Sequence, residues 1–176
     1  MSDGLKIWTV GHSTRGIEEF LQLLSAHGIE VLADVRRYPG SRKYPHFNAD
    51  ALSASLAERS IEYQPFTELG GRRRPAADSP NTVWRNDSFR GYADYMGTPE
   101  FDAGLRRLLG TAAAERTAIM CSETLWWRCH RALISDRLKS QGVEVRHIFG
   151  PEKDEPHRYT SPARIVGGKL TYAAGE

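Results

Sequence analysis

Arg116-Thr117-Ala118-Ile119-Met120-Cys121 continues as Ser122-Glu123-Thr124-Leu125-Trp126-Trp127-Arg128-Cys129-His130-Arg131. The first six residues read as a short apolar strand that ends on a thiol. The next ten lead into a helix expected over Trp126 to Gln141. A buried strand followed at once by a helix is the unit from which parallel sheets are wound. A thiol at a helix start meets the positive end of the helix dipole, which favours its thiolate. Both cysteines of the chain fall in this window, with Glu123, His130, Arg128 and Arg131 around them.

The same alternation extends in both directions. Leu5 to Val10 is a compact strand that gives way to Gly11-His12-Ser13-Thr14. Ile17, Phe20, Leu21 and Leu24 recur at helical spacing, and His27-Gly28 ends that helix. Ile29 to Val35 and Ile61 to Phe66 read as further strands. Between them Asn48 caps a helix through Glu58. Arg72 to Asn86 is polar and proline-containing, hence a loop. Phe89 to Met96 reads as a short helix, and Thr98-Pro99-Glu100 opens another with Phe101, Leu105, Leu108 and Leu109 inward. Val143 to Ile148 is the last core strand. Gly167-Gly168, inside Tyr159 to Tyr172, marks a β-hairpin. The expected fold is α/β: a mostly parallel sheet flanked by helices in three Rossmann-like layers, with a small C-terminal hairpin. One domain is expected over 1–176, with a core over 5–150 and the hairpin appendage over 159–173.

A length of 176 residues is enough for one buried core, and 40% hydrophobic with 26% charged residues is ordinary for a globular chain. No stretch is long and apolar enough to span a membrane. Met1-Ser2-Asp3-Gly4 carries no signal-peptide pattern, and two cysteines are too few for a disulfide scaffold, so reduced thiols in a cytoplasm are expected. The net charge of +2 argues against strong non-specific DNA binding. Only Lys6, Lys43, Lys139, Lys153 and Lys169 are lysines, and every other basic residue is arginine, the side chain suited to bidentate anion binding.

In an open parallel sheet, sites form beyond the carboxyl ends of the strands. The segments leaving strands here are Gly-His-Ser-Thr, Asp-Val-Arg-Arg, Glu-Leu-Gly-Gly-Arg, Cys-Ser-Glu and the segment at His147, so most of the reactive side chains are expected on one rim. Taken in order, Thr9-Val10-Gly11-His12-Ser13, Asp34-Val35-Arg36, Pro39-Gly40-Ser41-Arg42, Leu69-Gly70-Gly71, Phe89-Arg90-Gly91-Tyr92 and Cys121-x-Glu123 before Cys129-His130-Arg131 carry a resemblance. From about Ile7 to Ile148 the chain resembles the bacterial Domain of Unknown Function 488 family. The resemblance implies a single α/β domain and no particular reaction.

The chemistry is therefore read from the residues. Cys121 is the candidate nucleophile or ligand, against the plain reading of a small hydrophobe closing a strand. His12 and His130 are candidate proton carriers, although His130 shares a helical register with Ile134 and Leu138, as a core histidine would. Asp34 and Glu123 are candidate carboxylate catalysts; Asp34 and Arg36 equally fit a structural ion pair. Ser13, Arg36, Arg42, Arg131 and Tyr92 are candidate substrate binders. A rhodanese-like order of Asp-Val-Arg and Cys is present, but no glycine lies between Cys121 and Arg128 to form a tight anion loop. Cys121, Cys129 and His130 form an alternative metal set of two thiolates and an imidazole. The Arg72-Arg73-Arg74 triplet reads as a solvated loop or as a phosphate clamp, with Trp84, Tyr92 or Trp126 to stack on bases. Three functions are compatible with this set. One is a thiol-dependent transferase or hydrolase acting on an anionic small molecule, nucleotide or nucleic acid. Another is a non-catalytic nucleotide or nucleic-acid binding module, and the third is a Cys/His metal protein. No cofactor and no oligomeric state follow from the sequence.

Overall fold

The computed structural model describes residues 4–40 and 42–175. The terminal tetrapeptide's first three residues and Ser41 of the Pro39–Arg42 motif lie outside them. The strands are β1 (Lys6–Gly11), β2 (Val31–Asp34), β3 (Glu62–Pro65), β4 (Thr117–Cys121), β5 (Glu144–Gly150) and β6 (Lys153–Pro156). They form one sheet in the order β3-β2-β4-β1-β5-β6, parallel throughout except for β6, which returns antiparallel beside β5. The helices are α1 (Ile17–Ala26), α2 (Ala49–Ala57), α3 (Asp87–Tyr95), α4 (Pro99–Ala114) and α5 (Arg131–Ser140). A separate hairpin pairs β7 (Arg164–Val166) with β8 (Lys169–Thr171). Its Gly167-Gly168 turn has φ of 59° and 79°, which only glycine adopts without strain.

Two cores lie on the two faces of the sheet, and strand alternation assigns each residue to one of them. Trp8, Val10, Leu32, Ala118 and Met120 pack with Phe20, Leu24, Leu52 and Leu56 of α1 and α2. Ile7, Ala33, Val35, Ile119 and Cys121 pack with Tyr92, Phe101, Leu105, Leu133 and Ile134 of α3, α4 and α5. A central strand covered on both faces is mostly apolar, and β4 is buried from end to end. Cys121 therefore lies on the α5 side, in register with Gly11 of β1.

β4 is inserted between β2 and β1, so the carboxyl ends of these three strands stand side by side. His12 N–H donates to the Cys121 carbonyl and Val35 N–H to the Met120 carbonyl, which extends the ladders just past the strand ends. The polar exits of all three strands thus meet above the centre of the sheet.

Two expectations change here. β6 is an added antiparallel edge strand. The helix expected from Trp126 begins only at Arg131; Trp126–Arg128 is a separate single 3₁₀ turn, and Cys129 and His130 bridge the two. The thiol at the helix start is therefore Cys129, not Cys121. The Arg72–Asn86 loop is held by one carboxylate: Asp94 accepts from Ala76 N–H, the Ser79 hydroxyl and the Asn81 amide. Among the described residues no helix is long and apolar enough to cross a membrane.

Candidate active site

Cys121 and Cys129 are both free thiols, and their sulfurs lie 2.6 Å apart. Strand β4 supplies the first, and the turn before α5 supplies the second. Arg131 donates through Nε to Cys121 Sγ at 3.0 Å, and its backbone N–H points at Cys129 Sγ at 3.4 Å. Its remaining guanidinium donors go to the Thr9 hydroxyl and to the carbonyls of Glu123 and Thr124. Arg131 is 1% exposed, and among the described residues no carboxylate lies within ion-pair distance of it. The guanidinium lies directly against the Cys121 sulfur, with that of Cys129 next to it.

The two thiols titrate as a pair. Burial works against ionising Cys129, but its hydrogen bond with Cys121 and the charge and hydrogen bonds of Arg131 outweigh burial and bring it down to about 7. Burial pushes the Cys121 thiol well above its ordinary range, helped by the hydrogen bond and negative charge of Cys129. One proton leaves near neutrality and the second is retained. Burial opposes the Arg131 charge too, yet the sulfurs more than restore it.

His130 completes the centre. Its Nε2–H donates to the Val35 carbonyl at 2.7 Å, so the unprotonated Nδ1 faces Cys129 Sγ at 3.4 Å. Burial holds its pKa below the ordinary histidine value, so the ring is a neutral acceptor. On the other wall, His12 Nδ1 donates to the Ser13 carbonyl, which leaves Nε2 for chemistry. The ring stacks on Phe47 at 4.2 Å, and burial lowers its pKa to about 4 against the pull of that hydrogen bond.

Above the sulfurs opens a cleft of about 610 Å³. Its lining includes His12, Ser13, Tyr92, Cys121, Glu123, Cys129 and His130. It also carries five cations, Arg36, Arg37, Lys43, Arg72 and Arg128, against the single carboxylate of Glu123. Of these cations only Arg36 pairs with a carboxylate among the described residues: Asp34 grips it bidentately at 2.7 to 3.1 Å. Tyr63 donates its hydroxyl to the same Asp34 at 2.6 Å.

Several assigned roles change with these positions. Asp34 is 1% exposed and does not line the cleft, so it positions Arg36 and is not placed to act on a substrate. Tyr92 gives its hydroxyl to the Leu69 carbonyl and presents only its ring, 5.1 Å from His130. Arg131 lies behind the sulfurs, where it serves them and not a ligand. Arg42 is exposed and outside the cleft. Gly11 is approached by the chain itself: a Cβ there would lie 1.7 Å from the Glu123 carbonyl oxygen. Cys121, Cys129 and His130 do converge, with the Arg131 guanidinium on the Cys121 sulfur. Among the described residues no three His, Cys, Asp or Glu side chains are disposed to hold a metal ion.

Behind Arg131 runs a buried polar chain that sequence reading missed. Thr9 Oγ1 meets His147 Nδ1 at 2.5 Å, His147 Nε2 meets His157 Nδ1 at 2.8 Å, and His157 Nε2 meets Asp136 at 2.8 Å. Asp136 also accepts from Thr160 and Tyr172, which ties the hairpin segment to this core. Trp126 stacks on the His147 ring at 4.4 Å. In sequence its members are scattered from Thr9 to His157, and only His147 is marked, at a strand exit. Burial, with the neighbouring His157 and Arg131, lowers His147 to about 2.

These depressed histidines predict acid sensitivity. Unfolded, each binds a proton near pH 6.5; folded, His12 and His147 resist until about 4 and about 2. Their stabilisation is complete above pH 6.5 and falls as pH drops below it, by at most about 1.4 kcal/mol per histidine per pH unit. Urea midpoints at pH 7 and pH 5 should differ accordingly. His147→Gln should flatten the slope, and an unchanged slope would show that His147 titrates normally.

A sequence model of the family Domain of unknown function DUF488 matches residues 16–138, more than half of the chain. The chain belongs to the DUF488 family. The match contains the Asp34–Arg36 clamp, both cysteines, His130 and Arg131, and stops short of His147 and His157. No curated protein and no solved structure matches the chain.

Proposed function

We propose that this DUF488 protein is a thiolate-dependent enzyme, a transferase or hydrolase in reaction type, acting on an anionic small molecule. The observation that carries the reading is the buried Arg131–Cys121–Cys129 cluster at the floor of a cleft with five cations and one carboxylate. Cys129 is the attacking sulfur, because it lies just before the start of α5 with His130 Nδ1 at 3.4 Å. His130 Nδ1 and His12 Nε2 are the proton carriers nearest the cleft. Arg36, pre-oriented by Asp34, and Arg37, Lys43, Arg72 and Arg128, without a carboxylate partner among the described residues, hold the anion. A pair of free thiols suits a reducing compartment, and the proposed location is the cytoplasm.

Alkylation kinetics test this reading. In the wild type the rate with iodoacetamide should rise with pH through a midpoint at about 7. Anionic iodoacetate should gain on iodoacetamide at low salt, and Arg72→Ala with Arg128→Ala should erase the gain. Two thiols inert below pH 8.5, the ordinary value of about 8.5 for cysteine, would end the thiolate reading.

One observation favours a nucleotide or nucleic-acid ligand. Tyr38 is 60% exposed at the cleft mouth, with Arg37 and Arg72 over its ring at 5.4 and 5.6 Å, and Arg73 and Arg74 continue the same cationic surface. That arrangement suits a stacked base beside phosphates. It predicts salt-sensitive oligonucleotide binding that Tyr38→Ala weakens.

A further inference from the structure

A single nucleophile leaves Cys121 without a chemical task, although its sulfur lies beside that of Cys129, at 2.6 Å. Both line the cleft, and they are the only cysteines in the chain. They come from different elements, so the contact is imposed by the tertiary fold and not by a short local motif. A disulfide needs about 2.05 Å between sulfurs, and the gap here is 2.6 Å. The two sulfurs are thus neighbours within reach of a bond.

The geometry points to a dithiol–disulfide exchange centre whose substrate is an anionic low-molecular-weight disulfide. This rests on the thiolate and the anionic substrate of the reading above, and replaces transfer or hydrolysis by a two-electron exchange. In the first step the Cys129 thiolate attacks one sulfur of R–S–S–R′. The substrate S–S bond breaks, R′–S⁻ leaves, and Cys129–S–S–R forms. In the second step Cys121 gives up its proton and attacks Cys129 Sγ. The mixed disulfide breaks, R–S⁻ leaves, and the Cys121–Cys129 disulfide forms. The two protons of the dithiol end on the two released thiols, and the two electrons that reduce the substrate come from the pair. His130 Nδ1, at 3.4 Å from Cys129 Sγ, is placed to take the first proton and return it. Arg37, Lys43, Arg72 and Arg128, free of carboxylate partners among the described residues, select a disulfide that carries its own carboxylates.

The full-length reduced protein is mixed with glutathione disulfide, a tetracarboxylate, and in parallel with neutral hydroxyethyl disulfide, and followed by intact mass and free-thiol count. The wild type should lose both thiols together, lose two hydrogens in mass, carry no adduct and release two glutathiones per chain. Cys121→Ser should stop as a stable glutathione adduct on Cys129, and Cys129→Ser should react far more slowly. Arg72→Ala with Arg128→Ala should slow the glutathione reaction by about tenfold or more relative to the neutral one. If Cys121→Ser does not fold, peptide mapping of oxidised wild type for a 121–129 crosslink decides the same point. A wild-type adduct that persists overturns the proposal, as does an absence of thiol loss with both disulfides. If the thiols still alkylate near pH 7 in that case, the exchange centre falls while the thiolate enzyme stands. Equal rates with the two disulfides would overturn the anionic substrate class.

Discussion

Arg131→Met is expected to lower stability by about 3–5 kcal/mol, the range for removing one member of a buried charged pair, and to raise the first thiol ionisation from about 7 into or above the ordinary cysteine range. The thiolate escapes part of the penalty by taking up a proton. The Thr9 hydroxyl and the carbonyls of Glu123 and Thr124 cannot, because each loses a donor inside the protein. Arg131→Lys should recover much of the ionisation and little of the stability, since an ammonium cannot reach one sulfur, one hydroxyl and two carbonyls with a planar fork. Urea unfolding and the pH profile of alkylation measure the two effects separately. An alkylation midpoint that stays near 7 in Arg131→Met would remove the guanidinium from the account of the thiolate.

Gly11→Ala is expected to be nearly as damaging, for a steric reason. The added Cβ would meet the Glu123 carbonyl oxygen at 1.7 Å, its carbon at 2.5 Å and Thr124 Cα at 3.0 Å. All three are backbone atoms, so no rotamer change relieves the clash, and β1 or the 122–124 segment must move. Overpacking of this kind costs about 1–3 kcal/mol and sometimes more. Here the displaced carbonyl also accepts from Arg131 and from Cys121 Sγ, so loss of fast alkylation should accompany the loss of stability. Gly110→Ala is the control: it lies in α4 with nothing within 4 Å of the added Cβ, and should gain about 0.5–1 kcal/mol from helix propensity. If both glycines behave alike, the close approach at Gly11 is not holding the site.

The clamp between Asp34 and Arg36 shows where pattern reading stops. Alternation places the two side chains on one face, and they do meet. Alternation could not tell a catalyst from a counterion. Tyr63, from the neighbouring strand, donates the further hydrogen bond that, with the Arg36 pair, occupies both oxygens of Asp34, and it becomes a neighbour only when β3 pairs with β2. Cys129 is a second case. Helical spacing runs without a break from Trp126 to Gln141, yet the first turn is 3₁₀ and separate. Leaving the helix is what carries Cys129 to Cys121 and sets Arg131 behind both. The cations Arg37 and Lys43 are unremarkable in sequence because their common feature, the cleft, is assembled from five separate segments.

The sequence by itself determined the mostly parallel winding, the apolar strand that ends on Cys121 and the gathering of polar strand exits on one rim. Those follow from local periodicity and from the place of sites in open parallel sheets. It also marked the Cys121–Arg131 window, since both cysteines lie within it. Only the tertiary structure decided which groups are charged and which are neutral there. Ionisation depends on burial and on neighbours brought from distant parts of the chain: Arg131 against two sulfurs, Val35 against His130, and Thr9, His147, His157 and Asp136 in a line behind them. Spacing along the chain carries the geometry of elements; the electrostatics of a site exist only once those elements are packed together.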